Sequence, residues 1–301
     1  MPPIRHPLPG ARWHFQHGPI DLVIGAEGDA LAVRAAHEAA WRRFVDVLPE
    51  LVAELPRLRL PAGEHCPVQG VVARRMWQAC HPYRQAYITP MAAVAGAVAE
   101  EIIAAYSGPG LRRAWVNNGG DIALHLEPGE SVRVGLCADP ARPVPASAAE
   151  PPLDGRFEVH AHSAVRGIAT SGWRGRSFSL GIADSVTVLA RSAAAADAAA
   201  TVIANAVNID DARVQRRPAS SLKDDSDLGD IAVTVDVPPL APALVALALR
   251  AGARCAQELR MRGLIEAAAL VCQGQLLRVQ AEPAPRSVAA SPPAAVGSVF
   301  A

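Results

Sequence analysis

The sequence predicts an α+β fold, a mostly antiparallel sheet with covering helices. Three observations carry this. Apolar residues recur at helical spacing through the first third of the chain. From Ala114 the pattern switches to residue-by-residue alternation over a series of short runs. No alternating strand–helix–strand series, the signature of a parallel sheet, is present. With 301 residues and half of them apolar, the chain can bury a large core. We expect one domain over residues 1–280 and a disordered Pro/Ala-rich tail over 281–301.

The elements follow in order. Trp13-His14-Phe15 and Ile20–Ile24 flank His17-Gly18 and read as a hairpin, with His14 and His17 solvated beside the turn. Gly28-Asp29 leads into a helix over Ala30–Leu55, ended by Pro56 and Pro61. A second helix spans Val68–Cys80 and stops at His81-Pro82. Pro90 opens a third, Met91–Tyr106, closed by Ser107-Gly108-Pro109-Gly110. Its small face (Ala92, Ala93, Ala95, Gly96, Ala97) lets another backbone or a ligand come close, or serves tight packing of the helix on the sheet.

Strands are expected at Ala114–Val116, Ile122–Leu126, Val132–Leu136, Phe157–Ala161, Phe178–Gly181, Ser185–Leu189 and Ile231–Val235. Asp139–Gly155 and Arg213–Gly229 read as loops. Helices are expected at Ser192–Val207 and Ala241–Met261, and a last hairpin at Leu270–Cys272 and Gln275–Val279.

Composition excludes several classes. Basic and acidic residues number 29 each, and no polybasic run stands out, so neither nucleic acid nor a membrane is an expected partner. Lys223 is the only lysine and sits in a polar loop, which excludes a Walker P-loop and a Schiff-base lysine. The five cysteines are scattered with no C-x-x-C, which points to a reducing cytoplasm. The first 30 residues hold no signal-peptide apolar block.

Three segments carry candidate chemistry. Asn117-Asn118-Gly119-Gly120-Asp121 lies between two strand-like runs; its glycines allow positive φ and bare backbone for an anion, while alone it also reads as a tight hairpin turn. Thr170-Ser171-Gly172 ends a short strand with two hydroxyls, suited to a phosphate or ring carbonyl or to an ordinary Ser/Thr turn. Asp197 and Thr201 lie one turn apart on an alanine-rich helix in which Asp197 is the only charge. A carboxylate and a hydroxyl so placed could supply part of a Mg²⁺ shell, while Asp197 alone also reads as an acidic residue favoured near a helix N-terminus by the dipole. His160 and His162 alternate on a strand with no third ligand evident. Asp225–Asp230 reads as a solvated Asx-turn loop.

Taken in order, these segments resemble the ApbE superfamily, the FAD:protein FMN transferases, and more narrowly its cytoplasmic branch of unassigned chemistry. Asn117–Ile122 is similar to that family's N-x-G-G-D-[IL] flavin-binding turn, Thr170–Gly172 to its T-S-G segment, and Ala196–Thr201 to its A-D-A-L-A-T metal segment, with Ala199 in place of leucine. The branch's P-M-A-A-V-A-G and D-S-D-L-G-D segments correspond to Pro90–Gly96 and Asp225–Asp230. The resemblance implies an ApbE-like, T-fold-like architecture. It also implies FAD or a related flavin nucleotide at Asn117, Asn118, Gly119, Gly120, Asp121, Thr170, Ser171 and Gly172, and Mg²⁺ on Asp197 and Thr201, with Asp197 as the catalytic residue.

One segment departs from the pattern. The transferases carry H-x-I-D-P-x-T-G after T-S-G, where this chain has Ser177–Ser185. That removes a histidine and one wall of the pocket. Three readings follow: Mg²⁺-dependent phosphoanhydride cleavage or FMN transfer on a small-molecule nucleotide, a non-catalytic nucleotide-binding module, or an enzyme on an unrelated small substrate in the same cleft. The uncovered edges of the expected sheet leave room for a homodimer.

Overall fold

The structure, a computed structural model, describes residues 2–136, 155–280 and 296–300. Strands are β1 Ile4–Leu8, β2 Arg12–His17, β3 Ile20–Gly28, β4 Leu111–Asn118, β5 Asp121–Leu126, β6 Ser131–Leu136, β7 Gly155–His160, β8 Gly167–Ser171, β9 Ser185–Ala190, β10 Gln215–Pro218, β11 Ala232–Asp236, β12 Ala267–Cys272, β13 Gln275–Val279 and β14 Val296–Phe300. Helices are α1 Ala30–Leu58, α2 Val71–Cys80, α3 Val94–Ile103, α4 Ala193–Ala206 and α5 Pro242–Met261.

Nine strands form one antiparallel sheet in the order β1-β2-β3-β4-β5-β8-β9-β12-β13. The α+β reading therefore holds. One face carries the helices over two apolar clusters, one built on Phe15, Phe44 and Ile102, the other on Val186, Ile203 and Leu270. On the other face Trp115, Ile122 and Ile168 pack under β6 and β7, which form a small sheet with β14 parallel to β6. The expected loop over Asp139–Gly155 lies outside the described residues except for Gly155, which opens β7. So does the expected disorder of the tail, except that Val296–Phe300 form β14. No helix among the described residues is long and apolar enough to cross a membrane.

α4 sits at the centre. Ser192 caps it, accepting from the Ala195 N–H, and its alanines are buried on nearly every side. Small residues let backbones close in on it from three directions. A Cβ at Gly96 of α3 or at Gly167 of β8 would overlap the Ser192–Ala193 backbone, and one at Gly181 would overlap the Ala204 carbonyl oxygen. Gly181→Ala is therefore expected to destabilise the fold by about 2–3 kcal/mol, as overpacking does in a close-packed core, read as a lower urea midpoint at unchanged m-value.

Several boundaries differ from those expected. α1 runs through Pro49 and Pro56 to Leu58, because both prolines lie on its exposed side where the carbonyls they leave free can meet water. α2 starts at Val71, not Val68, because the Glu54 carboxylate accepts from the Gln69 and Gly70 N–H groups at 2.7 and 2.6 Å and holds them outside the helix. Residues 178–181 are not a strand. Leu180 N–H donates to Asn205 Oδ1 (2.9 Å) and Ile182 N–H to the Val207 carbonyl (2.8 Å), so this segment caps the C-terminal end of α4. β1, with Pro7 on the sheet edge, and β10 were not foreseen.

His17 is buried beside Phe44, not solvated, whereas His14 pairs with Asp21 at 3.0 Å. The Asp225–Asp230 loop is anchored, not free. Arg59 pairs with Asp225 (2.7 Å), while the Tyr87 hydroxyl donates to the Asp227 carbonyl and the Thr89 hydroxyl to its carboxylate.

Candidate active site

β4 and β5 are joined by Gly119 and Gly120, at φ +66° and +113°, values that favour glycine. Asn117 Oδ1 accepts from the Gly120 N–H (2.8 Å) and fixes the turn. Asn118 Nδ2 donates to the Ala95 carbonyl (3.1 Å) and ties the turn to α3. Asp121, 7% exposed, opens β5, and its Oδ1 accepts from the Thr170 N–H on β8 at 3.0 Å. The Thr170 hydroxyl meets that of Thr187 at 2.9 Å. Gly172 has a packing reason, since a Cβ there would overlap the Asp184 backbone.

The expected helix Met91–Tyr106 is broken. Pro90–Ala93 form a 3₁₀ turn, α3 starts at Val94, and Ala104–Tyr106 form a second 3₁₀ turn. The break at Ala93 (φ −127°, ψ 15°) puts a fresh helix N-terminus in mid-segment. First-turn amides have no partner inside a helix. Here the Gly96 N–H donates to Asp197 Oδ2 at 2.9 Å, and the neighbouring Ala95 N–H favours the charged form of that carboxylate. Glu100, one turn along α3, accepts from the Ala194 N–H (3.2 Å) and fixes the register of α3 on α4. Gly96 serves close packing, as its small face suggested, and it also brings an amide to a carboxylate.

Asp121 and Asp197 face the same interior. Asp197 keeps some access to solvent but lies deep below the outer surface. Burial pushes both carboxyls up from the ordinary carboxylate range, and the nearby Asp121 carboxylate raises that of Asp197 further. Neither has an ion-pair partner among the described residues. Thr201 lies one turn beyond Asp197 on the same face, and no described group hydrogen-bonds its hydroxyl. Cys80 is also near Asp197. Burial pushes its thiol up from the usual range, and the Asp197 carboxylate adds to this.

The oxygens the site offers are those of two carboxylates and one hydroxyl, with helix-terminal amides holding the Asp197 carboxylate and no group of His or Cys ligands among the described residues. Hard oxygen ligands suit Mg²⁺, which keeps several waters and shares its shell with phosphate oxygens. No group of three or more His, Cys, Asp or Glu that could hold a metal occurs among the described residues, so a closed all-protein cage is not what this site offers. The arrangement fits Mg²⁺ shared with a ligand. The sequence linked Asp121 with the flavin turn and Asp197 with the metal; the pairing of the two carboxylates and the donors of Ala95 and Gly96 were not read from it.

The segment following Gly172 closes on itself. Trp173 N–H donates to the Ala183 carbonyl (3.0 Å), and Asp184 takes Arg174 Nε (2.8 Å) on one oxygen and the Gln273 N–H (2.5 Å) on the other. Asp184 is thus occupied in tying this loop to the β12–β13 turn. His160 and His162 stack, ring centroids 5.2 Å apart, on an exposed edge away from this site. A recess of about 490 Å³ beside Trp13, Val33 and His37 contains none of the site residues.

Comparisons with known proteins place the chain. A UPF0280 protein of Methanopyrus kandleri is 37% identical over 226 residues, 71% of this chain and 83% of that protein. A UPF0280 protein of Methanothrix thermoacetophila is 37% identical over 140 residues, 46% of this chain; there the chain spans about half of the relative's length, 53%. Two solved structures align at low similarity. An ApbE protein of Thermotoga maritima has 12% identity and a TM-score of 0.44, covering 91% of this chain and 97% of that one. The apo form of Pseudomonas stutzeri flavinyl transferase ApbE has 13% identity and a TM-score of 0.46, covering 92% and 94%. The family model described as AbpE bacteria matches residues 5–278, and the chain belongs to that family.

Proposed function

We propose that this protein binds FAD or a related flavin nucleotide through Mg²⁺ and acts on its phosphoanhydride, by cleavage or by FMN transfer. The observation that carries this reading is the pair of buried, electrostatically linked carboxylates, Asp121 held by the Thr170 amide and Asp197 by the Gly96 amide, with no ion-pair partner for either among the described residues. The family's flavin motifs, matched at Asn117–Ile122 and Thr170–Gly172, favour a flavin nucleotide as the ligand.

Asp121, Asp197 and the Thr201 hydroxyl would hold the Mg²⁺. When bound, the metal polarises a phosphoryl oxygen and neutralises charge that develops on the leaving phosphate. The chain's own residues do the rest. The Ala95 and Gly96 amides orient the Asp197 carboxylate. The Thr170 amide orients Asp121. The double-glycine turn brings bare backbone to the ligand. The unpaired state of Cys66, Cys80, Cys255 and Cys272 suits a reducing cytoplasm.

A specific observation favours a second reading, a binding module without turnover. Asp184 in the substituted loop has both oxygens engaged and offers no free base. Prolonged incubation of FAD with the protein and Mg²⁺, with and without acceptor protein, followed by chromatography, separates the two. The primary reading expects FMN and AMP in equal amounts, or AMP with flavin-labelled acceptor. Intact FAD, bound but unchanged, would establish the second.

A further inference from the structure

We propose that Arg176 is the phosphate contact that selects a ligand with a diphosphate over its dephosphorylated form. The inference rests on the metal–phosphate reading of Asp121 and Asp197. Arg176 lies on the loop between Gly172 and Asp184, whose two ends are bonded to each other at Trp173 and Ala183 and held to the β12–β13 turn through Asp184. The loop carries its guanidinium to the double-glycine turn. A Cβ added at Gly119 would lie 3.2 Å from Arg176 Nη2 and 3.6 Å from Cζ, so the cation rests directly over that glycine.

Above Gly120 there is open space, with no heavy atom within 4 Å of where a Cβ would stand. The turn therefore has one glycine covered by a cation and the next uncovered, at the strand end that leads into Asp121. Among the described residues, Arg176 makes no ion pair or hydrogen bond, unlike Arg174 on the same loop, which is held by Asp184. An unpaired guanidinium beside open glycine backbone suits a phosphate, which it can bind through two parallel N–H donors. One phosphate would share the metal with Asp121 and Asp197, and the other would lie between Gly120 and Arg176. A nucleoside or free flavin ring would not use Arg176 at all.

Calorimetric titrations of Mg·ADP, adenosine and Mn²⁺ alone into wild type, Arg176→Ala and Arg176→Lys test this. We expect Arg176→Ala to weaken Mg·ADP by roughly 10- to 100-fold, with Arg176→Lys in between because it keeps the charge but loses the fork. Adenosine and Mn²⁺ should bind the three proteins equally. Equal Mg·ADP affinity in wild type and Arg176→Ala overturns the assignment of Arg176 and leaves the metal reading standing. A parallel loss of Mn²⁺ binding overturns it too, by placing Arg176 with the metal. Wild type that binds Mn²⁺ but not Mg·ADP, or binds neither, removes the phosphate reading and this proposal together.

Discussion

Asp197→Asn is expected to abolish Mg²⁺-dependent nucleotide binding and, in the metal-free protein, to raise stability at neutral pH. The two effects have one cause. Asn keeps a carbonyl oxygen for the Gly96 amide, so the α3–α4 contact survives. It removes one of two like charges buried together, which cost stability when no metal is present. We expect a gain of about 1–2 kcal/mol at pH 7.5 in EDTA, the size usual when a functional site is relieved of strain. The loss of metal-linked affinity should be about 100-fold or more, or roughly 2.7 kcal/mol. Melting curves with EDTA and with Mg²⁺ read both effects. A variant that melts lower in EDTA yet still responds to Mg²⁺ as wild type does would show that Asp197 is a packing residue.

The metal-free wild type should lose stability as pH rises from about 4 to 7, against the usual trend for surface carboxylates. Asp121 has an ordinary value of 3.8 and is pushed up to about 7 by burial in the folded protein. Below 3.8 both folded and unfolded chains hold the proton, and Asp121 contributes nothing to pH dependence. Between the two values the folded chain keeps a proton that the unfolded chain releases, so stability falls as pH rises; above about 7 the loss is complete. For Asp121 alone the change is on the order of 4 kcal/mol at 1.36 kcal/mol per unit, and Asp197 shifts in the same direction. Glu101 opposes this, because Arg43 and Arg75 hold its carboxyl down and its contribution is lost as pH falls. The clean readout is therefore the difference between wild type and Asp121→Asn in urea melts from pH 5 to 8 in EDTA. Mg²⁺ competes with the protons and should flatten that difference. A difference that does not change with pH, or one that grows in favour of wild type as pH rises, would contradict the placement of the pair.

The alternation from Ala114 to Leu189 was enough to read the sheet, because strand residues take turns facing two apolar layers and the period is printed in the sequence. The exception, residues 178–181, has strand-like composition, but the Leu180 N–H and that of Ile182 just beyond are spent on the end of α4. That choice depends on where Asn205 and Val207 lie in space. The break in Met91–Tyr106 was hidden for a related reason. Most residues there are alanines and other good helix formers that favour a continuous helix, and only the packing of Gly96 on Ala193 and Asp197 shows why the helix restarts at Val94. Asp197 and Thr201 were legible because i,i+4 spacing on a helix fixes a shared face. The approach of Asp121 to Asp197 was not, since 75 residues of chain separate them and only the β5–β8–β9 pairing and the seat of α4 bring them together. Arg176 gave no periodic signal at all, and its position follows from the closed loop after Gly172.

In the proposed function Asp121 and Asp197 hold a Mg²⁺ that a nucleotide's phosphates share. Titration of FAD and ADP into wild type and Asp197→Ala, each with and without Mg²⁺, tests it most directly. Binding to wild type should depend on Mg²⁺ and disappear in Asp197→Ala. Binding of equal strength with and without Mg²⁺, or retained in Asp197→Ala, would contradict it.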